Sequence, residues 1–107
     1  MRKIELTYNN TDYVLEYNRQ SVKTLEGQGF RLDELTIMPM TMIPMLFHGA
    51  FFKNHKGIKR ALVEEMLDGI GNDKTGLIQA LAEMYAETLS ALTEDSGEGN
   101  VTWALVK

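Results

Sequence analysis

The spacing of apolar residues changes once along this chain, and that change bounds the fold more tightly than any other feature. Up to residue 17 the period is two. Ile4, Leu6 and Tyr8 share one side, and Tyr13, Leu15 and Tyr17 continue it beyond Asn9-Asn10. Alternation of this kind marks a half-buried strand. Asparagine tolerates the left-handed backbone that a two-residue hairpin turn requires, so the Asn pair reads as the turn. Centred there, Ile4 faces Leu15, Leu6 faces Tyr13, and Lys3 faces Glu16. Apolar then meets apolar on one side, and opposite charges meet on the other. The expectation is a β-hairpin over 2–17. Two strands alone are marginal in water, so the apolar side must lie on helices.

Beyond residue 17 the pattern is helical. Asn18 is positioned to cap a helix over about 19–28 that turns Val22 and Leu25 inward. Gly29 is the left-handed stop, and Phe30 falls where a Schellman motif places its contact with Leu25. A loop over 31–41 leads to a second helix at about 42–54. With Thr41 as its cap, Pro44 lies in the first turn, where a missing N–H matters little. This helix is apolar nearly all round, the mark of a central buried helix. Its main stripe is Ile43, Leu46, Phe47, Ala50 and Phe51; a second stripe, Met42, Met45, Gly49 and Phe52, lies almost opposite. A third helix is expected at 59–70, with Gly71 as its stop. A fourth is expected at 73–93, its stripe running from Leu77 to Leu92.

One domain of 107 residues buries roughly two thirds of its extended surface, enough for a single core. The fold class is therefore α+β: a hairpin followed by a bundle of about four helices, mostly helical, within one domain over 1–93. Residues 94–107 read as a polar linker and a short apolar segment, V-T-W-A-L-V, able to dock as a strand. Leu46, Phe47, Phe51, Leu67, Leu81 and Tyr85 are expected to share one core.

Chemistry-bearing patterns are sparse. With no cysteine there is no disulfide, thiol nucleophile or thiolate metal site. His48 and His55 are seven apart, without the i, i+4 spacing of a helical zinc pair. G-Q-G-F at 27–30 closes a helix, whereas a dinucleotide fingerprint opens one. Ser21, Ser90 and Ser96 stand in no nucleophile-elbow context. The expectation is a protein that is not an enzyme and has no catalytic residue, metal or cofactor. No run approaches the ~18 apolar residues of a membrane span. Charge is uneven: residues 1–60 carry nine Lys/Arg and six Asp/Glu, net +3, whereas residues 61–107 carry two and nine, net −7. An acidic chain with one basic cluster, Lys53, Lys56, Lys59 and Arg60, is a poor nucleic-acid binder. The asymmetry permits head-to-tail attraction between copies.

Methionine is the unusual residue. Met38, Met40, Met42 and Met45 fall within eight positions. Methionine fills irregular core gaps, and it also serves surfaces that accept varied apolar partners. The second stripe has the 3, 4, 3 spacing of a coiled-coil seam, and mid-helix Gly49 asks for a close neighbour. Either the hairpin or fourth helix covers it as ordinary core, or another chain does; the pattern favours another chain, since a small domain seldom wraps a helix on all sides. The expected protein interface is Met42, Met45, Gly49 and Phe52, with Lys53, Lys56, Lys59 and Arg60.

The opening hairpin, N-R-Q-S-V-K-T-L-E-G-Q-G-F at 18–30, P-M-T-M-I-P-M-L-F-H-G-A-F-F-K-N-H at 39–55 and E-M-Y-A-E-T at 83–88 together resemble small tail assembly chaperones of long-tailed bacteriophages and prophages, especially those of Firmicutes. The likeness covers about residues 1–92. It implies a non-enzymatic protein of the host cytoplasm, absent from the mature virion, that binds the tape-measure protein and helps recruit tail-tube subunits; a homo-oligomer is expected separately, from the charge asymmetry and the second stripe. Two other readings stand beside it: a structural virion component such as a tail terminator or head–tail connector subunit, and a small nucleic-acid-binding regulator.

Overall fold

The computed structural model describes residues 2–92, 101 and 103–106. Strands β1 (Ile4–Tyr8) and β2 (Thr11–Leu15) pair antiparallel, with Ile4 opposite Leu15 and Leu6 opposite Tyr13. This is the expected register. Asn9 and Asn10 take φ of 50° and 63°, the two left-handed residues of a type I′ turn. Lys3 and Glu16 form neither a ladder pair nor an ion pair, although Lys3 lies near enough for its charge to favour the Glu16 carboxylate. The ladder ends at Leu15, and the chain beyond the second helix brings Lys53 onto the Glu16 carboxylate instead.

Helix α1 (Arg19–Gly27) opens with a capping box: Ser21 N–H donates to Asn18 Oδ1, and Asn18 N–H donates to Ser21 Oγ. It closes as a Schellman motif. Phe30 N–H donates to the Leu25 carbonyl and Gly29 N–H to that of Glu26, with Gly29 at φ 96°. A single 3-10 turn, Leu32–Glu34, then leads into α2 (Pro39–Gly49).

Helix α2 starts and stops earlier than its sequence suggests. Pro39, not Thr41, sets the start, because its fixed φ suits the first helical position and the Met38 carbonyl already accepts from Met42 N–H at 2.9 Å. Pro44 therefore lies inside the helix. The carbonyl it leaves without a helical donor belongs to Met40, which stands in solvent. After Gly49 the chain tightens: Ala50, Phe51 and Phe52 donate to carbonyls three residues back. Residues 50–54 are thus turns, and α-helical spacing no longer decides where Phe52 points.

Helix α3 (Arg60–Asp68) ends on Gly69 rather than Gly71. Helix α4 (Lys74–Ser90) is capped by left-handed Asp73, whose carboxylate accepts from Gly76 N–H at 3.2 Å. Leu92 lies beyond it and is exposed, so the inward stripe stops at Leu89. Packed against α1, α3 and α4, α2 is the central helix. All six expected core residues lie in one buried cluster, which also includes Leu15, Tyr17, Leu25 and Met42. Tyr85 packs edge-on against Tyr17 and Phe30, and burial pushes its hydroxyl pKa to about 12.

The hairpin is fastened at several points. Arg2 Nε meets Glu87 Oε1 at 3.1 Å on α4, and Tyr8 donates to Glu65 on α3. The turn after α2 closes the outer edge of β2: Glu16 N–H donates to the Ala50 carbonyl, Val14 N–H to His55 Nε2, and Asn54 Nδ2 to the Val14 carbonyl. At the other end of the chain, Val101, Trp103, Leu105 and Val106 are 77–89 % exposed, and these described residues form no strand. The expected linker at 94–100 lies outside the described residues.

Candidate protein-binding surface

The expected interface residues do not form one surface. Met42 is buried on the core side of α2, and Gly49 is closed off by α1. A Cβ on Gly49 would lie 2.3 Å from Leu25 Cδ1 and 2.7 Å from Leu25 Cγ. The close approach that Gly49 asked for is therefore made within the chain, by the first helix. Neither residue is available to a partner of the folded monomer. The physical reason is that α1, α3 and α4 together wrap α2 more completely than the size argument allowed.

The others, except Lys59, which lines neither, separate into two open grooves that share Gln28. One, of about 510 Å³, runs along the polar start of α1 and is lined by Phe52, Lys53 and Lys56. The second, of about 340 Å³, holds Met45, His48 and Arg60. Here the basic residues are partly engaged: Lys53 pairs with Glu16, and Arg60 approaches Glu64 at 3.7 Å. The Lys53 hydrogen bond holds the Glu16 carboxyl below its ordinary pKa. Lys56 and Lys59 are exposed. His48 is half-buried, and loss of solvent lowers its pKa.

A different part of the methionine cluster stays uncovered. Met40 is 89 % exposed, Ile37 73 % and Met38 46 %. They sit at the start of α2, where Pro39 ends the preceding loop. An open groove of about 430 Å³ lies between that start and the first half of α4, lined by Leu35, Ile43, Ile78 and Ala82, with Lys74, Thr75 and Gln79 at its margin. Its walls are mostly aliphatic, unlike those of the two basic grooves. Exposed apolar residues beside such a groove suit an apolar helix or an extended apolar segment. Flexible methionine side chains relax the demand for one exact shape.

The sequence had singled out Met38 and Met40 as part of the cluster, yet Ile37, Leu35, Ile43 and Ile78 escaped notice as binding residues. Pro39 at a helix start was the available signal, since it leaves the residues just before it on the outside. No sequence pattern tied Ile43 to Ile78, because that neighbourhood depends on how α2 and α4 pack. Among the described residues no group of three or more His, Asp or Glu side chains is placed to hold a metal, and no helix is long and apolar enough to cross a membrane.

No curated protein and no solved structure matches the chain significantly. A family model does match, over residues 1–106, and it is described as a domain of unknown function. By that match the chain belongs to the DUF5055 family.

Proposed function

We propose that the protein is a non-enzymatic tail assembly chaperone of a long-tailed phage or prophage. In this reading it works in the host cytoplasm, binds the apolar helical faces of a tape-measure protein, helps recruit tail-tube subunits and is left out of the finished particle. The single observation that supports the binding step is the exposure of Ile37, Met38 and Met40 beside the aliphatic groove between α2 and α4. A tape-measure helix offers repeated apolar stripes, and a methionine-rich surface accepts many of them without strict sequence choice. Individually weak contacts along a long client then gain from multivalency. The motif likeness over residues 1–92 names the client; the groove supplies a place for it.

Two measurements test this. Co-expression with the tape-measure protein should keep that protein soluble, and Met40→Asp combined with Ile37→Asp should abolish the effect while leaving the circular dichroism unchanged. Mass spectrometry of purified virions should find the chain absent. Abundant protein in mature particles would overturn the reading in favour of a structural virion component. Retained client solubility in the double variant would remove the exposed start of α2 from it.

A further inference from the structure

The two edges of the hairpin sheet differ, and so does what meets them. Val14 points its N–H and C=O away from β1, and both are taken by the turn after α2. Glu5 stands opposite Val14, so by antiparallel alternation Lys3, Glu5 and Thr7 turn their own N–H and C=O away from β2. No described hydrogen bond meets these groups, and β2 is the only element extensively beside β1. Lys3, Glu5 and Thr7 are all exposed. β1 is thus an open edge of a sheet that one more strand would extend.

A segment suited to that edge lies elsewhere in the same chain. V-T-W-A-L-V at 101–106 is rich in residues that favour strands, and its odd positions, Val101, Trp103 and Leu105, are large and apolar. These three are 77–86 % exposed. Placed on the same side as Ile4, Leu6 and Tyr8, which are only partly buried, they would widen the apolar layer that lies on the helices. In the monomer the segment stays exposed and leaves its own β1 edge uncovered, so the edge open to it is that of a second copy, and charge complements that choice. The half of the chain ending in it is net −7, with Glu94, Asp95 and Glu98 just before it; the half containing β1 is net +3, with Lys3 exposed just before the strand. That asymmetry draws the tail of one copy to the head of another.

We propose that residues 101–106 of one copy add as a strand to the β1 edge of a second copy, so that the protein self-associates by strand addition. The contact joins two different patches, so it closes only by reciprocal exchange or as a ring. This inference is independent of the chaperone reading, and its test involves no client.

Trp103 is the only tryptophan, which makes its fluorescence a direct reporter. With rising concentration of the full chain, its emission should move to shorter wavelength in step with the mass measured by light scattering. Over the same range the Glu5 and Thr7 amides should become at least tenfold slower in hydrogen exchange. Leu105→Asp should hold the chain monomeric, with solvent-exposed Trp103 emission at every concentration. Glu5→Pro attacks the other partner. It removes an outward N–H that the hairpin ladder does not use, and it should have the same effect. An emission shift that is independent of concentration in a monomeric chain would mean that the segment docks on its own β1 and would overturn the proposal. Oligomers that form with no Trp103 shift, or that survive Leu105→Asp, would overturn it as well.

Discussion

The two ends of α2 have opposite surroundings although both are apolar. At the C-terminal end Leu46, Phe47 and Gly49 are buried, and the Leu25 side chain occupies the space a Cβ at residue 49 would need. At the N-terminal end Met40 is 89 % exposed. The difference shows that apolar character along a helix does not say which turns are core. Neighbouring elements do: α1 crosses the end of α2, whereas an open groove beside α4 flanks its beginning. One helix can therefore anchor the domain at one end and leave apolar side chains exposed at the other.

Substitutions on either side of this divide should behave very differently. The largest effect belongs to Leu46→Ala, which empties a fully buried site and should cost ~2–5 kcal/mol in denaturant unfolding. A loss near that of an exposed residue would show that the C-terminal half of α2 is not the anchor. Next comes Gly49→Ala. Ala favours a helix over Gly by about 1 kcal/mol, but the new methyl overlaps a buried leucine, and overpacking costs ~1–3 kcal/mol. Net destabilisation is expected, and the double variant with Leu25→Ala should recover part of it. Recovery would locate the conflict at the α1–α2 crossing; its absence would place the strain elsewhere.

Acid should weaken the buried end in two separate windows. Burial lowers the His48 pKa, so the folded chain binds fewer protons than the unfolded one. Its share of stability is whole above the unfolded value of about 6.5 and is lost as pH falls through the lower folded value. Glu16 is also lowered, chiefly by Lys53, and its contribution goes at lower pH, from about 4.5 downward. Urea midpoints measured from pH 8 to pH 3 should therefore decline in both regions. His48→Gln should flatten the upper one alone; an unchanged slope there would show that another group is responsible.

The smallest effect on stability is expected from Met40→Ser, within about 0.5 kcal/mol, as for other exposed positions. Loss of client binding without loss of stability would complete the contrast between the two ends. A destabilisation above 1 kcal/mol would mean that the start of α2 is packed more tightly than its exposure indicates.

Local features carried their own instructions. Period-two alternation about Asn9-Asn10 led to the strand register, because a slip by one residue would turn every apolar side chain outward. Asn18 marked the start of α1, and Gly29 with Phe30 marked its end, since cap hydrogen bonds join residues only a few positions apart. The all-round apolar character of α2 likewise announced a central helix. Contacts between distant residues left no comparable trace. That Leu25 meets Gly49, that Lys53 rather than Lys3 takes Glu16, and that His55 and Asn54 close the edge of β2 while β1 stays open depends on where separate elements pack. The same holds for the candidate groove, in which Ile43 and Ile78 come from different helices. The elements, with boundaries good to about five residues at worst, at the end of α2, were legible in the sequence because they follow from short-range hydrogen bonding and periodicity. Which apolar faces became core and which stayed exposed was decided only by tertiary packing, since burial of one face requires a second element to lie against it.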